Sequence, residues 1–127
     1  MTGREGRTLF IYGTLKRGQP LHFNLIEGKF IGNGTTLHPY PLLLAPAGWY
    51  PYLLNQPGKG KRVKGELYWV PNHLLEKLDE IEEVPFYYYR DRIKVVSNGK
   101  IWEVDAYFKR KPIKYKFSQL LSQFPPK

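Results

Sequence analysis

The stretch Leu9-Phe10-Ile11-Tyr12-Gly13-Thr14-Leu15-Lys16-Arg17-Gly18 joins an apolar run to a polar loop that closes on a second glycine. Residues 9–12 are rich in aromatic and β-branched side chains, which predicts a strand. Gly13 permits either a sharp turn or the close approach of another group. A strand ending in such a loop tends to aim several backbone N–H groups into one concavity. That arrangement holds an anionic or carbonyl oxygen without a charged side chain. Read alone, the pattern is served better by a plain strand-to-helix turn.

Downstream, residues 20–27 predict a short helix, with Pro20 in the first turn, Leu21, Leu25 and Ile26 at roughly helical spacing, and Gly28 as its end. Residues 30–37 predict a strand with a bulge or bend at Gly32 and Gly34. Residues 41–45 and 52–55 read as short strands around a loop carrying Trp49 and Tyr50, and residues 56–60 as a tight turn. Residues 62–70 alternate well, with Val63, Gly65, Leu67 and Trp69 on one side, as in a half-buried strand. Asn72 is the expected N-cap of an amphipathic helix over residues 73–82, built on Leu74, Leu75, Leu78 and Ile81 and ended by Val84-Pro85. Residues 87–96 and 101–108 form two strands of a hairpin, because Asn98-Gly99 lies between alternating apolar runs. Residues 113–124 are ambiguous, with room for one short helix. Many short strands with two or three helices among them predict an α+β fold. Residues 1–127 read as one domain, with 1–7 and 125–127 as frayed ends.

At 127 residues, 42% hydrophobic and 24% charged, the chain has the balance of an ordinary soluble globule able to bury its own core. No apolar run is long enough to span a bilayer, and the first seven residues lack the apolar core of a signal peptide. Cysteine is absent, which excludes disulfides, thiolate metal sites and thiol nucleophiles. His22, His38 and His73 lack ligand spacing, so no metal is expected. Gly13 and Gly18 do not make a phosphate loop, and neither Ser97 nor Ser118 sits in a nucleophile elbow.

Twenty Lys and Arg against 11 Asp and Glu give a net charge of +9. Lys109, Arg110, Lys111, Lys114 and Lys116 crowd the C-terminal segment. They read as a solvated basic tail, or alternatively, with Tyr115 and Phe117 as stacking groups, as a contact for RNA or an anionic surface on a non-catalytic barrel. Five of the 11 acids are Glu76, Asp79, Glu80, Glu82 and Glu83. Four read as the wet face of the helix. Glu82 stands at the helix end beside Ile81 and just before Val84-Pro85-Phe86-Tyr87, where poor solvation should raise its pKa toward neutrality. The residues alone do not separate Glu82 from Glu83 or Glu80.

The opening stretch resembles the Tyr-Gly-Thr/Ser-Leu loop of the gamma-glutamylcyclotransferase-like family. The blocks Lys16-Arg17-Gly18-Gln19-Pro20, Pro39-Tyr40-Pro41-Leu42, Pro57-Gly58-Lys59-Gly60, Val63-Lys64-Gly65-Glu66-Leu67-Tyr68 and Leu78-Asp79-Glu80-Ile81-Glu82 follow in the same order. In order and spacing they look most like the family's gamma-glutamylamine branch, over roughly residues 8–108. The resemblance implies a small closed, mostly antiparallel β-barrel with helices packed outside. It implies intramolecular aminolysis of a gamma-glutamyl amide, giving 5-oxoproline and a free amine without a cofactor. It singles out Glu82 as the acid/base and Tyr12, Gly13, Thr14 and Leu15 as the floor of the substrate pocket. Tyr87 to Tyr89 would help to shape that pocket, and Glu66 would be a structural partner. The expected partner is the small-molecule amide, not nucleic acid or membrane, and the chain is expected to be a cytoplasmic monomer or weak dimer.

Overall fold

Seven strands form among the described residues, and five of them close into a barrel in the order β1-β5-β2-β6-β7. The computed structural model describes residues 5–111 and 113–126. Strand β1 (Gly6–Ile11) pairs antiparallel with β5 (Lys64–Pro71), and β5 with β2 (Lys29–Thr36). Next come β6 (Tyr88–Ser97), antiparallel to β2, and β7 (Lys100–Lys109), antiparallel to β6. The ring closes where β7 meets β1 in parallel, Leu9 opposite Asp105. The barrel is therefore mixed: four of its five strand pairs are antiparallel and one is parallel. Directions cannot alternate all the way around an odd number of strands, so a parallel seam is unavoidable. Strands β3 (Leu42–Leu44) and β4 (Pro51–Leu53) form a separate two-stranded sheet.

The β6–β7 hairpin turns at Asn98 (φ 52°) and Gly99 (φ 74°), and two positive φ values in a two-residue loop make the turn predicted there. Strand β2 carries its irregularity between Phe30 and Gly32. Strand β5 is not half-buried as its alternation suggested: Gly65, Glu66, Leu67 and Tyr68 are all buried. One face, with Leu67, packs with Phe10, Val95, Val104 and Ala106, and the opposite face, with Tyr68 and Val70, packs with Leu9 and Ile11. Closure of the barrel and the helix laid against it cover both sides.

One α-helix is present among the described residues, not the two or three expected. It is α1 (Asn72–Ile81), with Leu74, Leu75 and Leu78 buried against Leu9, Ile11 and Val70. The other predicted helical segments form only 3-10 turns, His22–Leu25 and Phe117–Gln119. Neither has the continuous apolar stripe needed to offset a costly helix nucleus. Pro71, not Asn72, occupies the N-cap of α1, and no side chain caps it. The Asn72 N–H instead donates to the Glu5 carbonyl at 3.0 Å. That bond and strand β1 also correct the expectation of a frayed start for residues 5–7; residues 1–4 and 127 lie outside the described residues. No helix among the described residues is long and apolar enough to cross a membrane.

Residues 113–126 are built into the structure, not solvated throughout. Leu120 and Phe124 are each 4% exposed. The Leu121 N–H donates to the Leu42 carbonyl at 2.9 Å, and the Lys64 N–H to the Ser122 carbonyl at 2.8 Å.

Gly65 is held by close approach. A Cβ there would stand 2.5 Å from the Ile11 carbonyl oxygen and 2.7 Å from the Phe10 ring. Gly65→Ala is expected to cost about 3 kcal/mol, because backbone and a packed ring would both have to shift. Thermal melting reads the effect, and an unchanged midpoint would show that β1 and β5 can part without penalty.

Candidate active site

The chain leaves β1 at Ile11 and enters a loop, and α1 ends at Ile81 with Glu82 as its C-cap. These two ends open into one cavity of about 290 Å³. Tyr12, Gly13, Thr14, Leu15 and Glu82, the residues singled out from the sequence, all line it. Helix α1 packs on β1 and β5, and this docking carries its C-terminal end to the loop.

The loop is anchored from behind. Lys16 N–H donates to the Gly13 carbonyl and Leu21 N–H to the Thr14 carbonyl, each at 3.0 Å. Arg17 N–H donates to Glu66 Oε1 at 3.0 Å, and the Tyr68 hydroxyl donates to the same oxygen at 3.0 Å. Glu66 is thus the structural partner expected of it. The N–H groups of Gly13, Thr14 and Leu15 donate to no backbone carbonyl among the described residues. Gly13 serves close approach: a Cβ there would lie 3.0 Å from Pro51 Cγ.

Burial pushes the Glu82 carboxyl up to about 7, with the negative charges of Asp79 and Glu83 adding to the shift. The residue keeps some contact with solvent, but protein atoms crowd its carboxyl on most sides. Asp79 is not merely on the wet face. It accepts from Arg90 Nε at 2.8 Å, from Arg90 Nη2 at 3.1 Å and from the Tyr107 hydroxyl at 2.7 Å. Arg90 Nη1 reaches on to the buried Asp105 at 2.8 Å. This network ties the end of α1 to β6 and β7. Glu83, Glu76 and Glu80 are exposed as expected, and Glu83 also borders the cavity.

Tyrosines supply much of the remaining wall. The Tyr12 hydroxyl donates to the Tyr107 carbonyl, and the Tyr88 hydroxyl to the Pro51 carbonyl at 2.9 Å. The Tyr87 hydroxyl lies 2.9 Å from that of Tyr50 and 2.7 Å from that of Tyr52. Burial raises the phenols of Tyr12, Tyr88 and Tyr107 above their ordinary value, and nearby negative groups add to it, so these hydroxyls stay protonated. Among the groups lining the cavity, the Glu82 carboxyl is the one raised to near neutrality.

Some of this wall escaped the sequence reading. Trp49 and Tyr50 showed as aromatics on a Pro/Gly loop, but nothing said where that loop goes. Tyr107 sits in the alternation of β7 and looks like any core residue there. Tyr87 and Tyr88 line the cavity, while Tyr89 does not; it packs beside Phe108, with a hydroxyl that accepts from Asn55 at 3.2 Å. The basic segment is partly committed to the fold. Lys109 Nζ stands 4.7 Å from the centre of the Tyr87 ring, and the Arg110 guanidinium 5.4 Å from that of Tyr89. Tyr115, offered as a stacking group, is half-buried and donates to Gln56 at 3.2 Å.

A small mixed barrel whose cavity is bordered by a crowded carboxyl at the end of α1 and by the loop after β1 is the class that fold and site define. The family model described as gamma-glutamyl cyclotransferase, AIG2-like matches residues 9–123. Gamma-glutamylaminecyclotransferase of Bos taurus is 47% identical over 96 residues, 72% of this chain and 57% of the bovine one. Gamma-glutamylaminecyclotransferase C of Danio rerio is 40% identical over 112 residues, 80% of this chain and 74% of its own. The crystal structure of an AIG2-like protein from Mus musculus aligns with a TM-score of 0.81 at 31% identity, covering 94% of this chain and 88% of that one. The chain belongs to the gamma-glutamyl cyclotransferase, AIG2-like family, as the ordered motif blocks implied. It spans little more than half the length of the bovine relative.

Proposed function

We propose that the chain is a gamma-glutamylamine cyclotransferase, closing the gamma-glutamyl half of an amide into 5-oxoproline and releasing an amine. The observation that carries this is a carboxyl held near pH 7 in the same cavity as three consecutive free amides. Two relatives that bear the gamma-glutamylaminecyclotransferase name, at 47% and 40% identity, support the same reading.

In this reading Glu82 enters as a carboxylate and takes a proton from the substrate's α-ammonium. The freed amine nitrogen attacks the substrate's own side-chain amide carbon, and the carbonyl electrons move onto oxygen. The N–H groups of Gly13, Thr14 and Leu15 hold that oxygen, or the substrate's carboxylate. Glu82 returns its proton to the leaving nitrogen as the old C–N bond breaks. The ring nitrogen then sheds its second proton by the same route, so the products are a lactam N–H and an alkylammonium. No water is consumed. A well-placed intramolecular nucleophile reaches effective molarities on the order of 10⁵–10⁸ M, so holding the folded rotamer supplies much of the acceleration. The tyrosine-lined wall suits that task.

A panel of gamma-glutamyl compounds with 5-oxoproline as readout tests the proposal, and no release from any gamma-glutamyl amide would end it. The pH dependence follows with a definite sign. The base form of Glu82 starts the reaction, so kcat/KM should rise with pH through about 7, the value to which its carboxyl is raised. A profile flat from pH 5 to pH 9 would separate Glu82 from the chemistry.

A further inference from the structure

We propose that Asp79 is a positioning residue for Glu82: clamped by Arg90 and the Tyr107 hydroxyl, it fixes the end of α1 against the cavity wall and sets the charge behind the Glu82 carboxyl. The inference rests on the cyclotransferase reading and adds to it a residue that works without touching substrate. Asp79 does not line the cavity. It stands three residues before Glu82, so the two share one side of the last turn of α1. Its carbonyl accepts from the Val84 N–H at 2.9 Å, which closes the chain just past Glu82.

The clamp ties this turn to two strands at once. Arg90, from β6, grips both Asp79 oxygens through Nε and Nη2, and such a two-point contact fixes orientation as well as distance. Tyr107, from β7, donates its hydroxyl to Asp79 Oδ1 at 2.7 Å. Tyr107 also lines the cavity, and its carbonyl accepts the hydroxyl of Tyr12, where the substrate loop begins. One line of bonds thus runs from Arg90 through Asp79 and Tyr107 to Tyr12, with Glu82 on the same helical turn. The ion pair is partly shielded, the Asp79 and Arg90 side chains being 23% and 25% exposed. Arg90 lies between two carboxylates, since Nη1 donates to Asp105 at 2.8 Å. Asp105 keeps Arg7 at 3.6 Å and Arg92 at 3.7 Å, so losing Arg90 does not strand it.

The groups that act on Glu82 come from every side of the cavity. Asp79 and Glu83 flank it in the chain, Tyr12 faces it from the loop after β1, Tyr88 from β6 and Tyr107 from β7. Tyr50 and Tyr87 complete the titratable lining, and no lysine, arginine or histidine is part of it. The phenols stay neutral, so the charge behind Glu82 on the clamped side is that of Asp79, offset by Arg90.

The test reads kcat/KM against pH on the gamma-glutamyl amide that turns over best, and in parallel the Glu82 carboxyl by carbon-13 NMR on glutamate-labelled chain, assigned with Glu82→Gln. Asp79→Asn keeps the shape and removes the negative charge, so the rising limb and the carboxyl titration should both move down by about one pH unit. Arg90→Gln removes the countercharge and should move both up by about half a unit, and Arg90→Lys should bring them back. On the high-pH plateau Asp79→Asn should lower kcat about tenfold and change KM less than about twofold, because the helix end is held less firmly. A role in stability alone would lower melting temperatures without opposed shifts. Should Asp79→Asn fail to fold, the two Arg90 variants decide: an upward shift reversed by lysine supports the role, and no shift ends it. Titrations that stay in place, or that move the same way in Asp79→Asn and Arg90→Gln, overturn the role of Asp79 and leave the cyclotransferase reading standing. Release of 5-oxoproline from no gamma-glutamyl amide overturns both.

Discussion

Glu82→Gln is expected to lower kcat for 5-oxoproline release by about three orders of magnitude, within the range that a positioned acid–base group contributes. Glutamine has the same shape and can occupy the C-cap of α1, so the cavity stays formed. It can neither accept the ammonium proton nor return one to the leaving nitrogen. The fold should not suffer. Burial raises the Glu82 pKa in the folded chain, so folding favours its protonated form, and the stability this gives is lost as pH rises from the usual carboxylate range through about 7. Glutamine keeps the uncharged shape at every pH, and at pH 8 the melting temperature should be equal or higher. The rising limb of the pH profile should vanish with the carboxyl. Near-native turnover in this variant would move the proton transfer to another group.

Phe124→Ala is expected to cost about 3–5 kcal/mol, the usual effect of emptying a buried phenylalanine site. For a chain of this size that is a fall of about 10–20 °C in melting temperature. Phe124 is 4% exposed and packs in the cluster that holds Phe10 and Tyr12, and its carbonyl accepts from Lys16 Nζ at 2.5 Å. The loss would therefore reach the loop that floors the cavity. A matched change on the same segment, Lys114→Ala with Lys116→Ala, removes two exposed charges and should move stability by less than about 0.5 kcal/mol. A melting temperature indifferent to Phe124 and sensitive to the lysines would mean that the segment acts through its charge. The opposite result makes it part of the core, and truncating it would then unfold the chain.

Several features could be read before any coordinates because they depend on neighbours in the chain. The Asn98-Gly99 turn follows from what two residues tolerate in φ. Helix α1 follows from the spacing of its leucines. The ordered motif blocks named the family, and with it Glu82 and the loop from Tyr12 to Leu15. Where local reading went wrong, the deciding partner was distant. Asp79 looked like one more solvated acid, but Arg90 and Tyr107 from β6 and β7 claim it. The C-terminal segment looked like a basic tail because its lysines are frequent, while Leu120 and Phe124 do the packing. By itself the sequence determined the hairpin turn, helix α1 and, through the resemblance of its motif blocks, the family and the candidate carboxyl. The tertiary structure alone decided which acids border the cavity, which tyrosines enclose it and how the barrel closes. Those outcomes depend on long-range pairing, burial and the parity of a five-membered ring of strands, and local propensity contains none of them.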